Sequence, residues 1–124
     1  MTKHEETSLD NMYRDVLYLI HDRRCFVCGV QGDHDPHHII HRANLSTRWY
    51  IPNGILLCRE HHTIEHANGG CVDELATMYG DEYLFHLARV SHETSRYIEI
   101  DLIYLQLLHL KMKLKKQYEN DCNF

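Results

Sequence analysis

Apolar residues near the start of the chain recur at helical spacing: Leu9, Met12, Tyr13, Val16, Leu19 and Ile20 share one face. With Thr7-x-x-Asp10 as a capping signal, the pattern predicts a helix over residues 8–22. Residues 1–7 are polar and read as a frayed end. Residues 23–36 are irregular, broken by Gly29, Gly32, Asp33, Asp35 and Pro36. Two short strands follow, over 37–41 and 54–57, joined by a loop over 42–52 that Pro52 closes. A helix then runs from Cys58 or Arg59 to Ala67 and leaves through Asn68-Gly69-Gly70. Further helices are expected over 72–79, 81–90 and 93–118.

The fold class is therefore α+β, mostly α. A small strand–loop–strand–helix core over 23–70 lies between an N-terminal helix (8–22) and a C-terminal helical extension (71–124), all within one domain, 1–124. The last helix is apolar on two sides. Ile98, Leu102, Leu105 and Met112 line one; Ile103, Leu107, Leu110 and Leu114 line the other. Two apolar faces call for two covers. The domain supplies one, and a second copy of the chain, in a homodimer, would supply the other. A single broad face buried within one chain is the alternative.

Composition changes this picture in three places. A chain of 124 residues can build one core, but a thin one, so a metal staple would add much. Twelve histidines are far more than usual, and imidazole is both the commonest metal ligand and a base near neutral pH. His4, His21, His86, His92 and His109 are scattered and read as surface residues. The net charge of -5 argues mildly against tight non-specific binding of nucleic acid, which needs Lys and Arg. The charge is uneven, though: Glu5, Glu6, Asp10 and Asp15 lie early and Lys111, Lys113, Lys115 and Lys116 lie late. A bound divalent cation would also add charge that the formal count omits.

Five cysteines are an odd number without disulfide-framework spacing, which suits a reducing compartment. No apolar run follows a basic start, and no stretch of about 20 uncharged apolar residues occurs. Neither a secretory signal nor a membrane span is expected, and the expected location is cytoplasmic.

Cys25-x-x-Cys28 places two thiolates on one tight turn, and Cys58-x-x-His61 places a second pair of ligands at the same spacing. Two such pairs bracketing a strand–loop–strand unit predict a four-ligand structural Zn²⁺ site. A redox role for Cys25 and Cys28 would need a βαβ setting that the pattern lacks. His34 is a substitute ligand; Cys71 and Cys122 read as free thiols.

A second constellation starts at His37-His38-Ile39-Ile40. His62 and His66 are four apart on the predicted helix and share a face. With His37 they bring three imidazoles to one point and leave coordination positions open, as a catalytic metal requires. Nitrogen ligation favours Zn²⁺, Ni²⁺, Co²⁺ or Mn²⁺ over Mg²⁺. His38 is then available as a general base for an attacking water. Strand neighbours point to opposite faces, so His37 and His38 can serve one phosphate only at a strand edge or a distortion. Arg42, Arg48 and Arg59 fall in the same region and are candidate phosphate contacts. Trp49 reads as a core plug rather than a base-stacking platform, and the lysines of 111–116 as a solvated helix end.

These residues resemble the HNH, or ββα-metal, endonucleases, in particular their zinc-knuckle branch of bacterial and bacteriophage proteins. The matching stretches are Cys25-x-x-Cys28, His37-His38-Ile39-Ile40 and Asn53-Gly54-Ile55-Leu56-Leu57-Cys58-Arg59-Glu60-His61-His62, so the likeness covers residues 25–66. It implies hydrolysis of DNA phosphodiester bonds, with His38 as base and Asn53 orienting it across the loop. It implies His37, His62 and His66 as ligands of a catalytic divalent metal. His61 stands where the family usually has a fourth cysteine, which keeps a good zinc ligand. A zinc-stabilised module that binds DNA or protein without catalysis is the alternative function.

Overall fold

In a computed structural model of the chain, helix α1 spans Lys3–His21, beginning well ahead of its apolar stripe. The reason is the cap. The Thr2 side chain accepts the Glu5 backbone N–H and the Glu5 carboxylate accepts the Thr2 N–H, a reciprocal box that extends the helix through residues expected to fray. Asp22 and Arg23, both left-handed at φ 52° and 54°, end it. The structure describes residues 1–68, 79–92 and 100–122, with the side chains of residues 66–68, of Asp81 and of Cys122 outside that description.

Strand β1 (Asp35–His38) pairs antiparallel with β2 (Gly54–Leu57), with His37 opposite Ile55 and His38 opposite Gly54. β1 was expected over 37–41, and it starts and stops earlier. It stops because Ile40 gives both its N–H and its C=O to the Asn53 side chain rather than to a ladder, at 2.8 and 3.0 Å. The expected loop 42–52 holds two short pieces, α2 (Leu45–Arg48) and a 3₁₀ turn at Ile51–Asn53. Helix α3 (Arg59–Asn68) follows β2 directly. Helix α4 spans Asp81–Ser91 and α5 spans Ile100–Cys122. The helix expected over 72–79, the Asn68-Gly69-Gly70 exit and the start of the helix expected from 93 lie outside the described residues. The result is a mostly helical α+β chain with one two-stranded sheet among the described residues.

The core forms where α1 lies across the sheet. Leu9, Tyr13, Val16 and Leu17 are buried against Trp49, Leu56 and Leu107. Trp49 is a core residue, 5% exposed. β2 comes so close to α1 that a Cβ on Gly54 would meet Leu17 Cδ1 at 2.7 Å and overlap the Tyr13 hydroxyl, so glycine is required there. A second cluster of Cys25, Ile55 and Leu57 covers the other side of the sheet.

Helix α5 folds back along α1. Ile103, Leu110 and Leu114 pack there with Leu107, and Lys111 Nζ reaches the Asp15 carboxylate at 3.0 Å. The other apolar line stays open, with Leu102, Leu105 and Met112 49%, 59% and 63% exposed. One face is thus buried within the chain and the second is exposed; Ile98 lies outside the described residues. No helix among the described residues is long and apolar enough to cross a membrane.

Candidate functional site

Two groups of cysteine and histidine side chains lie beside the sheet, and the His61–His62 peptide bond divides them. The first group is the cysteine-rich one. The Cys25–Cys28 turn is tied by Gly29 N–H to Cys25 C=O at 2.9 Å and by Cys25 N–H to Val30 C=O at 3.0 Å, with Gly29 at φ +74°. Phe26 N–H donates to Leu56 C=O at 2.8 Å, which pins this turn to β2. Cys58 follows β2 and its carbonyl accepts the His62 N–H at 2.8 Å, so the first turn of α3 carries His61 toward the thiols.

The ligand atoms of Cys25, Cys28, Cys58 and His61 all lie within 4.8 Å of one another. Cys58 Sγ to His61 Nδ1 is 3.1 Å, Cys25 Sγ to His61 Nδ1 is 3.7 Å and Cys28 Sγ to Cys58 Sγ is 3.9 Å. A tetrahedron with bonds of about 2.3 Å has edges of about 3.8 Å, so the donor set fits one tetrahedral ion. Burial pushes the Cys25 thiol up, but the backbone N–H groups of Cys28, Cys58 and Val27 outweigh it and draw the thiol down to about 6. That favours the thiolate a metal needs. The Val30 amide pulls the Cys28 thiol down, yet crowding by the Cys25 and Cys58 sulfurs leaves it raised. His34 is not in the cluster; its Nε2 pairs with the Val30 carbonyl at 2.6 Å. Cys71 lies outside the described residues.

The second group lines a cleft of about 630 Å³ along the open edge of β1, walled by α1, β1 and α3. His37 and His38 do point to opposite sides of the strand. His37 faces α3, where its ring meets His62 edge-on at 5.2 Å between centroids and its Nε2 lies 4.0 Å from Glu65 Oε1. His38 faces α1 and stacks on Tyr13 at 5.5 Å. Both still line the cleft, because β1 is an edge strand and ends at His38. The strand-edge condition is met.

His38 is held from two directions. Tyr13 lies under its ring, fixed by its own hydroxyl bond to the Tyr50 carbonyl at 2.9 Å. Its Nε2 lies 2.9 Å from the Arg48 carbonyl. A carbonyl can only accept, so Nε2 carries the proton and Nδ1 keeps its lone pair. Burial lowers its pKa; the Arg48 carbonyl and Asp10 oppose this, and Arg42 and Arg48 add to it. The net effect favours the neutral form of the imidazole.

Asn53 is fully buried. Its Oδ1 accepts the Ile40 N–H and its Nδ2 donates to the Ile40 and Thr47 carbonyls at 3.0 and 3.1 Å. These bonds go to backbone rather than to His38, and they tie the chain after β1 to the turn that carries the Arg48 carbonyl. The reading that it orients His38 across the loop becomes an indirect one.

The three arginines differ. Arg42 and Arg59 are exposed. Arg48 is corrected as a phosphate contact: it is 8% exposed, its guanidinium spans both oxygens of Asp10 at 3.2 and 2.8 Å, and it stacks over Trp49. Its side chain holds the loop, and its carbonyl holds His38. The sequence reading missed Asp10 and Glu65, which also line the cleft. Glu65 follows His62 by three on a helix, a spacing that could have found it. His66 belongs to α3, but its side chain lies outside the described residues. Among the described residues, only the cysteine–histidine group brings three or more ligand atoms that close together. No protein-family profile, curated protein or solved structure matches the chain.

Proposed function

We propose that this protein is a metal-dependent endonuclease of the HNH type that hydrolyses DNA phosphodiester bonds. The observation that carries the reading is His38: a neutral imidazole with Nε2–H spent on a backbone carbonyl and Nδ1 left as the basic nitrogen, on the wall of an open cleft. His38 Nδ1 takes a proton from water as the water oxygen bonds to phosphorus and the bond to the leaving 3′-oxygen breaks.

In this reading the opposite wall would hold a divalent cation. His37 and His62 meet there, with the Glu65 carboxylate beside them, and His66 follows on the same helix. Asp35 and Glu65 make the cleft unwelcoming to a phosphate unless a cation offsets them. When bound, that ion supplies Lewis-acid stabilisation of the charge that develops on the phosphate. Exposed Arg59 could reach a flanking phosphate directly, and exposed Arg42 by leaving its Asp10 partner. In this reading Cys25, Cys28, Cys58 and His61 hold a structural Zn²⁺ that fixes the turn and helix on either side of β2.

Relaxation of supercoiled plasmid with added Mn²⁺, Ni²⁺ or Mg²⁺ tests it. Wild type is expected to nick the plasmid and His38→Ala to lose about 10²–10⁴-fold in rate with fold and zinc content intact. Equal activity of the two proteins, or none from wild type with any of the metals, would sink the nuclease reading and leave a zinc-stabilised binding module.

A further inference from the structure

We propose that Asp10 is a positioning residue for His38, acting from helix α1 through the side chain and then the carbonyl of Arg48. The idea rests on the reading of His38 as the base. Asp10 Oδ1 accepts from Arg48 Nε at 3.2 Å and from Trp49 Nε1 at 2.9 Å. Its Oδ2 accepts from Arg48 Nη2 at 2.8 Å and from Arg42 Nη2 at 3.2 Å. One carboxylate thus gathers three residues of the segment between the strands. The middle one, Arg48, presents the carbonyl that fixes His38 Nε2 at 2.9 Å.

The link is mechanical, and its strength comes from burial. The Arg48 side chain is only 9% exposed, and its other anion, Glu6, is 3.8 Å away. A nearly buried guanidinium left with one distant partner is costly, and the cheapest relief is for the side chain to swing to water. The Trp49 indole N–H, also in the core, would lose its acceptor at the same time. Both changes loosen the backbone at Arg48. Tyr13 would still stack on the His38 ring, but stacking does not choose between the two ring nitrogens. The carbonyl does. Without it, the proton is free to sit on Nδ1 and leave no base facing the cleft.

Two variants of the full-length, zinc-loaded protein test this, Asp10→Ala and Asp10→Asn. The His38 tautomer is read by long-range ¹H–¹⁵N correlation at mildly alkaline pH without DNA, and turnover is read by plasmid nicking. In wild type His38 is expected wholly as Nε2–H. Asp10→Ala is expected to show both tautomers and a kcat lower by about 10- to 100-fold. KM for DNA should stay unchanged or fall, because a carboxylate leaves the cleft. Asp10→Asn keeps an acceptor oxygen and should show the same changes, smaller. A purely structural role would lower Tm and move neither the tautomer nor kcat in the folded protein. A folded Asp10→Ala with wild-type tautomer and kcat overturns the proposal. If circular dichroism and zinc content show that Asp10→Ala does not fold, wild-type values in Asp10→Asn overturn it. Absence of nicking by wild type sinks the nuclease reading alone, because the tautomer is read independently of cleavage.

Discussion

The two sides of the His61–His62 peptide bond are built on opposite principles. On one side, Cys25, Cys28, Cys58 and His61 face one another, and their ligand atoms fill the space between them. On the other, His37 and His62 meet edge-on while His38 faces α1, and all three line a cleft of about 630 Å³. The closed group is two local ligand pairs, a turn at Cys25–Cys28 and a helix start at Cys58–His61, brought together by the Phe26 N–H bond to the Leu56 carbonyl of β2. The open group is organised from a distance: His38 depends on Tyr13 of α1, on a carbonyl of the loop between the strands and, through that loop, on Asn53. A metal group of that kind needs its ligands turned toward one another, whereas side chains spread along a cleft are positioned by the elements around them.

The most severe way to break this contrast is to open the closed group. Cys25→Ala should lose about one equivalent of zinc, and with it much of a binding energy on the order of 10–16 kcal/mol. Metal analysis and circular dichroism would read it, and a variant that stays folded without zinc would remove the structural role. The sharper comparison sets neighbours against each other. His61→Ala is expected to release zinc and destabilise the fold. His62→Ala is expected to keep both and to lose metal-dependent nicking instead. If both variants release zinc alike, the division at that peptide bond is wrong. The smallest effect is expected at Asn53. Its replacement by Ala strips the Ile40 N–H and C=O of their side-chain partner, at roughly 1–3 kcal/mol for each buried group left unpaired, while the Thr47 carbonyl keeps the Tyr50 N–H. Tm should fall while zinc stays bound; a loss of zinc would show that cleft and metal group are not separately supported.

Much of the closed group was legible in the chain, because Cys25-x-x-Cys28 and Cys58-x-x-His61 each place two ligands by local geometry alone. The helix over 81–90, the second strand and the helix after it were legible for the same reason: each is set by a few adjacent residues. The first strand was misjudged because its end is decided by Asn53, which withdraws Ile40 from the ladder. Arg48 was misread because nothing near it in sequence shows that Asp10 waits on another helix.

The sequence by itself determined the ligand types, their local spacing and the two apolar lines of the last helix. Tertiary structure decided which line is buried, which arginines are spent, and how His37 and His38 share one cleft while pointing to opposite faces. The division has a physical reason. Backbone geometry over a turn or two is fixed by the residues within it. Burial, ion pairing and the tautomer of an imidazole are fixed by whatever the rest of the chain brings within reach.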